Sequence, residues 1–464
     1  MRMSIRSCVL CPLLFCLAST VVIPITVAQE GFQHEAKINA LVKPYLKANK
    51  FNSASVGVVI GDQVWIGNFG QLSDGQSKPP TGDTIYEIGS ISKVFTAILL
   101  ADAVAKGDVK LTTSIGELMP AIKDSELGNS ITLKHLSTHT SGLPRMPSNL
   151  RPKDPNNPFD GYDRAKLTEF MKSVDAPKPV GENYAYSNLG AGLLGDLLAA
   201  QSKSSYEALL NDRLLSPFGM SDTALKLSAD QETRFAPPHN SALVADHAWD
   251  FDAMAGAGAI RSTTRDMIKF MKMNINPPTG DVGQAINLAW EKQLTKKTGR
   301  PAMGLGWHFS GDDSTRWHNG RTGGYQSMML VNRKLKAGVV LLSNTAGSDI
   351  DGLAESIFQA VVGMNPKPKK FNKAVSVDQK VLDRLAGKYE LAPQVIIEVV
   401  ANKGRLTVKL TGQTFLKVVP ESDTVWNYTD VEAQLRFDLP NKGPAKKVTL
   451  HQNGQKMPAP RIKD

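Results

Sequence analysis

Cysteine is nearly missing from this chain, and its few copies lie at one end. The 464 residues contain three cysteines, namely Cys8, Cys11 and Cys16. Without the amino-terminal segment that carries these cysteines the chain has no thiol, so neither a disulfide nor a thiolate metal site can form in the rest of it. The eight histidines show no H-E-x-x-H or comparable spacing. We therefore expect no metal site.

Signatures of two other enzyme classes are missing or lack their context. No G-x-S-x-G segment occurs, which argues against the α/β-hydrolase fold. Residues 190–195 fit G-x-G-x-x-G, but no apolar strand precedes them as a dinucleotide site requires. We interpret these glycines as positions of close helix packing.

Acidic residues are outnumbered, with 44 Asp and Glu against 54 Lys and Arg and a net charge of +10. A basic exported protein could be attracted to an anionic cell-wall polymer, although such a surplus is more commonly solvated surface. We expect no nucleic-acid partner.

A long apolar run occurs near the amino end. The run from Val9 to Val27 follows basic residues and includes the small-residue site Thr26-Val27-Ala28, which predicts a secretory signal peptide over residues 1–28. A membrane anchor is the alternative, but Pro12 and Pro24 interrupt the run and no second one of spanning length follows. We therefore expect an exported protein, periplasmic or secreted, with no stable membrane span after signal removal.

The pattern of long helices ends near residue 366 and short strand-like runs follow, which predicts two folded units. Residues 29–365 form the first, and the proline- and lysine-rich segment 366–375 is interpreted as a linker. Residues 376–464 contain short alternating runs separated by Asn, Lys, Gly and Pro. They predict a small all-β C-terminal domain with antiparallel strands, for which a small barrel is one arrangement.

The first unit has strand patterns at both ends and helical patterns between them. Ser55–Ile60 and Gln63–Asn68 predict one hairpin, and Tyr325–Val331 and Gly338–Ser343 predict another. The fold class we expect is α/β (α+β): one antiparallel sheet built from both ends of the unit, a helical region packed against it, and the active site in the crevice.

The segment Ser90-Ile91-Ser92-Lys93 opens an apolar run, Val94–Ala105, that is typical of a buried helix. Residues three apart share a helix face, so the amine of Lys93 can reach the hydroxyl of Ser90. A buried lysine has a lowered pKa and can take the serine proton. The four letters alone also fit the commoner case of an N-cap serine beside a solvated lysine.

Two later segments favour the catalytic interpretation. Tyr186-Ser187-Asn188 leads into a helical stretch, Leu189–Ala200, which places a phenol and an amide at a loop–helix junction. The segment His318–Tyr325 has three glycines just before an apolar strand, so its backbone can approach a ligand closely. The S-x-x-K segment, the Y-x-N segment and the glycine-rich strand edge, in this order, indicate a catalytic site far more specifically than any one of them alone.

With these segments the chain resembles the serine β-lactamase and penicillin-binding-protein superfamily, especially its class C and D-alanyl-D-alanine carboxypeptidase or esterase branches. Residues 386–391 open a tail that resembles the lipocalin-like domain behind some members. Further matching segments cover most of residues 35–362: Tyr86-Glu87-Ile88-Gly89, Gly107–Leu111, Leu136–Pro144, Pro217–Met220 and Gly304–Trp307.

The resemblance implies a serine hydrolase that needs no metal or cofactor. Ser90 would attack a carbonyl to form an acyl-enzyme, with Lys93 and Tyr186 transferring protons and either one acting as the base. Asn188 would bind Lys93 and the substrate. The backbone N–H groups of Ser90 and Arg321 would stabilise the oxyanion.

The resemblance departs at one motif. Many members have K-T-G where this chain has His318-Asn319-Gly320, and their lysine helps to hold a substrate carboxylate. A histidine is largely neutral at pH 7, and Arg321 would restore a charge only if its side chain faces the site. Histidine also occurs in the peptidase and esterase branches.

We therefore expect hydrolysis of an amide, in a D-alanyl peptide or a β-lactam, with a carboxylic ester as the alternative. The expected partner is a small-molecule or peptide substrate, for example one derived from peptidoglycan. A non-catalytic penicillin-like sensor or wall-binding module is a third hypothesis. Ser90, Lys93, Tyr186 and Asn188 together argue against it, because a binder does not need a nucleophile with proton-transfer partners.

Overall fold

The computed structural model describes residues 31–462, except 74–77, 242, 298–300, 372–376, 403, 412–414, 429–430, 432 and 453. The expected signal peptide, residues 1–28, lies outside the described residues, so that interpretation and the exported location stay predictions. None of the described helices is long and apolar enough to cross a membrane.

The first unit contains a six-stranded sheet and a separate two-stranded pair. Its strands are β1 Ser53–Ile60, β2 Gln63–Gly70, β3 Ile85–Glu87, β4 Arg261–Thr263, β5 His308–Phe309, β6 Thr315–Arg321, β7 Gln326–Asn332 and β8 Ala337–Ser343. The larger sheet is antiparallel, with the order β2-β1-β8-β7-β6-β5. β1 and β8 are neighbours, with Val58 opposite Val339. The predicted sheet built from both ends of the unit is confirmed.

The helices of the first unit lie before, between and after its two hairpins. They are α1 Glu35–Lys47, α2 Ser92–Ala105, α3 Ile115–Leu118, α4 Glu126–Ser130, α5 Leu133–Ser137, α6 Arg164–Ser173, α7 Asn188–Gln201, α8 Tyr206–Leu210, α9 Ala229–Glu232, α10 Thr264–Ile275, α11 Asp281–Trp290 and α12 Ile350–Val361. Short 3-10 turns lie at Gly89–Ile91, Pro120–Ile122 and Ala255–Ala257, and a π-helical turn at Asn211–Leu215.

Both faces of the six-stranded sheet are covered, because its central strands are apolar on both sides. Along β8, Val339 and Leu341 lie in a core with α1 and α12, whereas Val340 and Leu342 lie in a second core with α10 and α2. This alternation follows from the two-residue period of a strand. The second core includes Ile91, next to Ser90, so the candidate site lies on that side.

Helix α2 is buried on all sides and forms the centre of the helical region. An apolar helix without a polar face is expected inside a core. Phe95 of α2 stacks on Phe270 of α10, with ring centroids 3.9 Å apart. The prediction of a buried helix after the S-x-x-K segment is confirmed.

The G-x-G-x-x-G glycines lie in α7, where they allow close packing. A Cβ at Gly195 would lie 2.9 Å from the Cα of Gly256, and one at Gly192 would lie 2.7 Å from the sulfur of Met254. Any side chain at these two positions would collide with the turn that α7 packs against. The helix-packing interpretation is confirmed.

The C-terminal part is an antiparallel meander that closes almost completely into a barrel. It contains α13 Gln379–Leu385 and strands β9 Gly387–Ala392, β10 Val395–Asn402, β11 Arg405–Leu410, β12 Leu416–Pro420, β13 Val425–Tyr428, β14 Ala433–Asp438, β15 Lys447–Gln452 and β16 Gln455–Pro460. The two ends meet where Ile462 N–H donates to Lys388 O at 3.0 Å. Tyr389, Trp426 and Phe437 fill the interior. The expected all-β domain is confirmed.

The region between the two parts is described only in part. α12 ends at Val361 and α13 begins at Gln379. Of the expected linker, 366–375, residues 366–371 are described. The exact domain boundaries stay predictions.

The stacked pair in the core gives a stability prediction. Phe95→Ala should lower the free energy of unfolding by about 3–5 kcal/mol, because it removes a fully buried ring and leaves a cavity. Val400→Ala, at an exposed position of the barrel, is the control and should change it by about 0.5 kcal/mol or less. Urea unfolding measures both, and equal losses would contradict the proposed packing.

Candidate active site

Ser90 lies in the 3-10 turn between β3 and α2, pressed against the end of β6. Gly89 has φ 51°, and a Cβ there would lie 2.8 Å from the backbone nitrogen of Arg321. Gly320 makes the reciprocal approach, since a Cβ on it would overlap the carbonyl oxygen of Ile88. Glycine at both positions lets the two backbones come together, and Ser90 itself stays partly exposed.

The amine of Lys93 is buried and contacts three oxygen atoms. Its Nζ lies 2.9 Å from Ser90 Oγ, 2.9 Å from Asn188 Oδ1 and 2.7 Å from Ala257 O. In the neutral amine, two N–H groups donate to the amide and carbonyl oxygens while the lone pair faces the serine hydroxyl. The arrangement therefore suits an amine that accepts the proton of Ser90.

Burial lowers the pKa of Lys93, and this is the largest influence on it. Tyr186 acts in the opposite direction, because a phenolate nearby favours the ammonium form, and the positive charge of Arg145 lowers the pKa further. A lowered pKa makes the neutral amine available closer to physiological pH than in an exposed lysine.

Tyr186 and Asn188 are brought to the same point by the start of α7. Nζ of Lys93 lies 5.0 Å from the centre of the Tyr186 ring. Asn188 is the first residue of α7, and the helix is capped by Ser187, whose Oγ accepts the N–H of Gly190 at 2.9 Å. The cap fixes where the helix begins and hence where the Asn188 amide points.

His318 is fully buried, and burial lowers its pKa well below the ordinary value. Its Nδ1 lies 2.6 Å from Asn319 O, and its Nε2 has no hydrogen-bond partner among the residues that the structure describes. The ring of His308 lies 5.0 Å away, and its charge and that of Lys93 would disfavour protonation further. The direction of this pKa shift agrees with the expected neutral histidine.

The side chain of Asn319 is directed away from Ser90. Its Nδ2 donates to Asp351 Oδ2 at 2.6 Å, at the start of α12 on the other face of the sheet. Because side chains alternate along a strand, the exposed side chain of Arg321 leaves β6 on the same face as Asn319. A substrate contact through the Asn319 side chain therefore does not fit this geometry.

Two backbone N–H groups are available beside Ser90. Thr322 N–H donates to Tyr325 O at 3.1 Å, so the alternation of an antiparallel ladder leaves Arg321 in a position not bonded to β7. Its N–H is directed toward the turn of Gly89. The N–H of Ser90 lies in the first turn of a helical segment, where such groups have no partner within the helix.

His139 forms hydrogen bonds with the segment that carries Tyr186, through both its side chain and its backbone. Its Nδ1 lies 3.2 Å from the N–H of Ser187, and its carbonyl accepts the N–H of Ala185 at 2.8 Å. The ring of His139 is buried, and its centre lies 4.3 Å from the centre of the Tyr186 ring. No motif in the sequence singles out His139, although it lies within the matching segment Leu136–Pro144.

Comparison with known proteins identifies the family. A family model described as Beta-lactamase matches residues 38–362, and one described as a domain of unknown function, DUF3471, matches residues 372–460. Because the first match covers more than half of the chain, the chain belongs to the β-lactamase family of serine hydrolases. In the described part of the chain, no group of three or more His, Cys, Asp or Glu could hold a metal ion.

Individual relatives are distant. A β-lactamase of Providencia stuartii is 26% identical over 242 residues, which is 52% of this chain and 60% of that protein, so the chain spans less than two thirds of its length. The D-alanyl-D-alanine-carboxypeptidase/endopeptidase AmpH of Escherichia coli (strain K12) is 29% identical over 269 residues, 54% of this chain and 67% of that protein. A solved class C β-lactamase shares the fold, with TM-score 0.64 and 22% identity over 72% of this chain and 97% of that one.

Glu87 is a buried carboxyl group three residues before Ser90. Its Oε1 accepts the N–H of Trp249 at 2.9 Å and lies 3.4 Å from Arg261 Nη2. Burial raises the pKa of Glu87 to about 7, against the lowering influence of Arg261. At neutral pH this group therefore titrates in the folded protein.

The raised pKa of Glu87 predicts how stability depends on pH. Between an unfolded pKa of 4.5 and a folded pKa of about 7, the folded protein keeps a proton that the unfolded chain releases, so this group makes stability fall as pH rises. The full shift corresponds to about 3 kcal/mol. Glu87→Gln should reduce the loss of stability between pH 5 and pH 7, measured by urea unfolding. The same loss in wild type and variant would contradict the assignment.

Proposed function

We propose that the protein hydrolyses an amide bond, in a D-alanyl peptide or a β-lactam, through an acyl-enzyme on Ser90. The 2.9 Å contact between the buried amine of Lys93 and the partly exposed hydroxyl of Ser90 carries the proposal. The names of the relatives, a β-lactamase and a D-alanyl-D-alanine-carboxypeptidase/endopeptidase, support an amide substrate.

In the first step, Ser90 Oγ attacks the substrate carbonyl carbon while its proton passes to Lys93 or Tyr186. The carbon–nitrogen bond then breaks, the nitrogen takes up that proton, and the acyl group stays on Ser90 as an ester. Water then attacks the ester and loses a proton to the same pair. The bond from the acyl carbon to Ser90 Oγ breaks, the pair returns the proton to Oγ, and the acid is released. Either member of the pair can be the base, because the two groups are coupled.

The negative charge on the carbonyl oxygen is placed between the N–H groups of Ser90 and Arg321. Fixed donors of this kind stabilise the transition state without reorganisation, and losing one typically costs about 3 kcal/mol. The close approach at Gly89 and Gly320 positions both donors. Asn188 holds the amine of Lys93 and can donate its amide N–H to the substrate.

A carboxylic-ester hydrolase is the second candidate, and the state of His318 favours it. A neutral, buried ring cannot supply the positive charge that a lysine would offer to a substrate carboxylate. The same nucleophile and proton-transfer groups would cleave an ester. We further propose that the protein acts after export and that its peptide substrate derives from peptidoglycan, in line with the leader-like segment of residues 1–28.

Substrate preference separates the two candidates. We expect a D-Ala-D-Ala peptide to give a higher kcat/KM than a short-chain nitrophenyl ester, whereas the reverse order would favour the esterase.

Ser90→Ala should abolish turnover of both substrates. Wild-type protein treated with a fluorescent penicillin should show an adduct on Ser90 by mass spectrometry, or rapid turnover of the drug. Neither adduct nor turnover, together with Ser90-independent hydrolysis, would exclude an acyl-enzyme.

The acid limb of the pH–rate profile reports on the proton-transfer pair. Because the attacking hydroxyl needs a deprotonated acceptor, kcat/KM should rise with pH and reach its plateau below the ordinary lysine pKa of 10.5. Lys93→Arg should remove most of the activity over the whole range, since a guanidinium does not release its proton. An unchanged profile in this variant would contradict the role of Lys93.

A further inference from the structure

Arg145 lies at the edge of the candidate active site and is fixed there by its own backbone. Its carbonyl oxygen accepts the N–H groups of Asn188 at 3.0 Å and Leu189 at 3.2 Å, at the start of α7. Its guanidinium carbon lies 5.0 Å from the centre of the Tyr186 ring, the same distance as Nζ of Lys93. Arg145 and Lys93 thus both lie beside the ring of Tyr186, itself one of the two proton-transfer groups.

The charge of Arg145 has no counterion in the described part of the chain. Its side chain is exposed, and none of the ion pairs or side-chain hydrogen bonds between described residues involves it. Burial has the largest lowering effect on the pKa of Lys93, and the positive charge of Arg145 lowers it further. An anion bound beside Arg145 would relieve this repulsion between two nearby positive charges.

The other groups near the end of β6 are less suited to bind an anion. His318 is buried and neutral. The side chain of Arg321 leaves β6 on the face of Asn319, whose amide is bonded to Asp351. Arg145 is therefore the exposed cation that the structure places next to Tyr186.

We propose that Arg145 binds a carboxylate of the substrate and thereby determines specificity at this site. The inference rests on the proposed acyl transfer at Ser90. The guanidinium carbon of Arg145 lies 5.0 Å from the centre of the Tyr186 ring, and no side-chain hydrogen bond between described residues occupies its N–H groups. Two such N–H groups match the two oxygens of a carboxylate. The carboxylate can belong to the acyl group or to the leaving group, and the test has one arm for each.

The experiment compares ester pairs that differ only in carboxylate against carboxamide. The acyl arm uses the mono-4-nitrophenyl ester of glutaric acid and the same ester of glutaramic acid. The leaving-group arm uses 3-carboxyphenyl acetate and 3-carbamoylphenyl acetate. Activated esters acylate a serine nucleophile whichever bond it normally cleaves. For each pair, the ratio of kcat/KM values is compared between wild type and variant, so intrinsic reactivity cancels.

We expect wild type to prefer the carboxylate in one arm, and Arg145→Gln to lower that ratio about tenfold, the size of a charge-assisted hydrogen bond at a partly solvated site. Arg145→Lys should give an intermediate ratio, because it keeps the charge and loses the planar fork. Arg436→Gln, an exposed arginine of the barrel, controls for the change in net charge and should leave the ratio as in wild type.

A purely structural role of Arg145 would lower kcat/KM equally for both members of a pair, and this result overturns the proposal. Wild type without a carboxylate preference in either arm, or loss of the preference in Arg321→Gln but not in Arg145→Gln, also overturns it. In all these cases turnover still depends on Ser90. If wild type hydrolyses none of the four esters, or Ser90→Ala is as active as wild type, the proposed function itself fails and this inference with it.

Discussion

The buried amine of Lys93 is the interaction on which the arrangement of the site depends. Its three oxygen partners come from different parts of the chain: the turn of Ser90, the first residue of α7, and Ala257 in the turn that α7 packs against. A charged or polar group buried without such partners would be costly. The fold therefore has to bring these segments together before the amine can leave water, and the burial that demands this also lowers its pKa.

Much of the fold can be predicted from the sequence, because local patterns agree with the final packing. The apolar run of α2 and the two hairpins are readable as periodicity and turn residues. Other elements are not. β16 contains Pro458 and Pro460, and prolines argue against a strand, yet an edge strand of a meander tolerates them. The sequence also cannot show that the carbonyl oxygen of Ala257 accepts a hydrogen bond from Lys93. Every residue has a carbonyl group, and only the tertiary structure determines which one lies beside the amine.

The candidate site shows the same division. Ser90, Lys93, Tyr186 and Asn188 are identifiable because their chemistry and order are specific, and the structure brings all four together. Asn319 is the opposite case, since a motif position suggests substrate binding while strand alternation turns its side chain to Asp351. Arg145 lies in a loop with no recognisable pattern. Its place beside Tyr186 comes from backbone hydrogen bonds to α7, which sequence spacing does not encode.

The neutral His318 and the exposed Arg145 fit one electrostatic argument. A lysine at position 318 would place a buried positive charge near the amine of Lys93, and burying a charge is expensive unless it is paired. A histidine avoids that cost by staying neutral, as its lowered pKa indicates. A cation needed for substrate binding is then better placed where it stays solvated in the free enzyme. Arg145 satisfies this condition, because its side chain is exposed and still lies beside the Tyr186 ring.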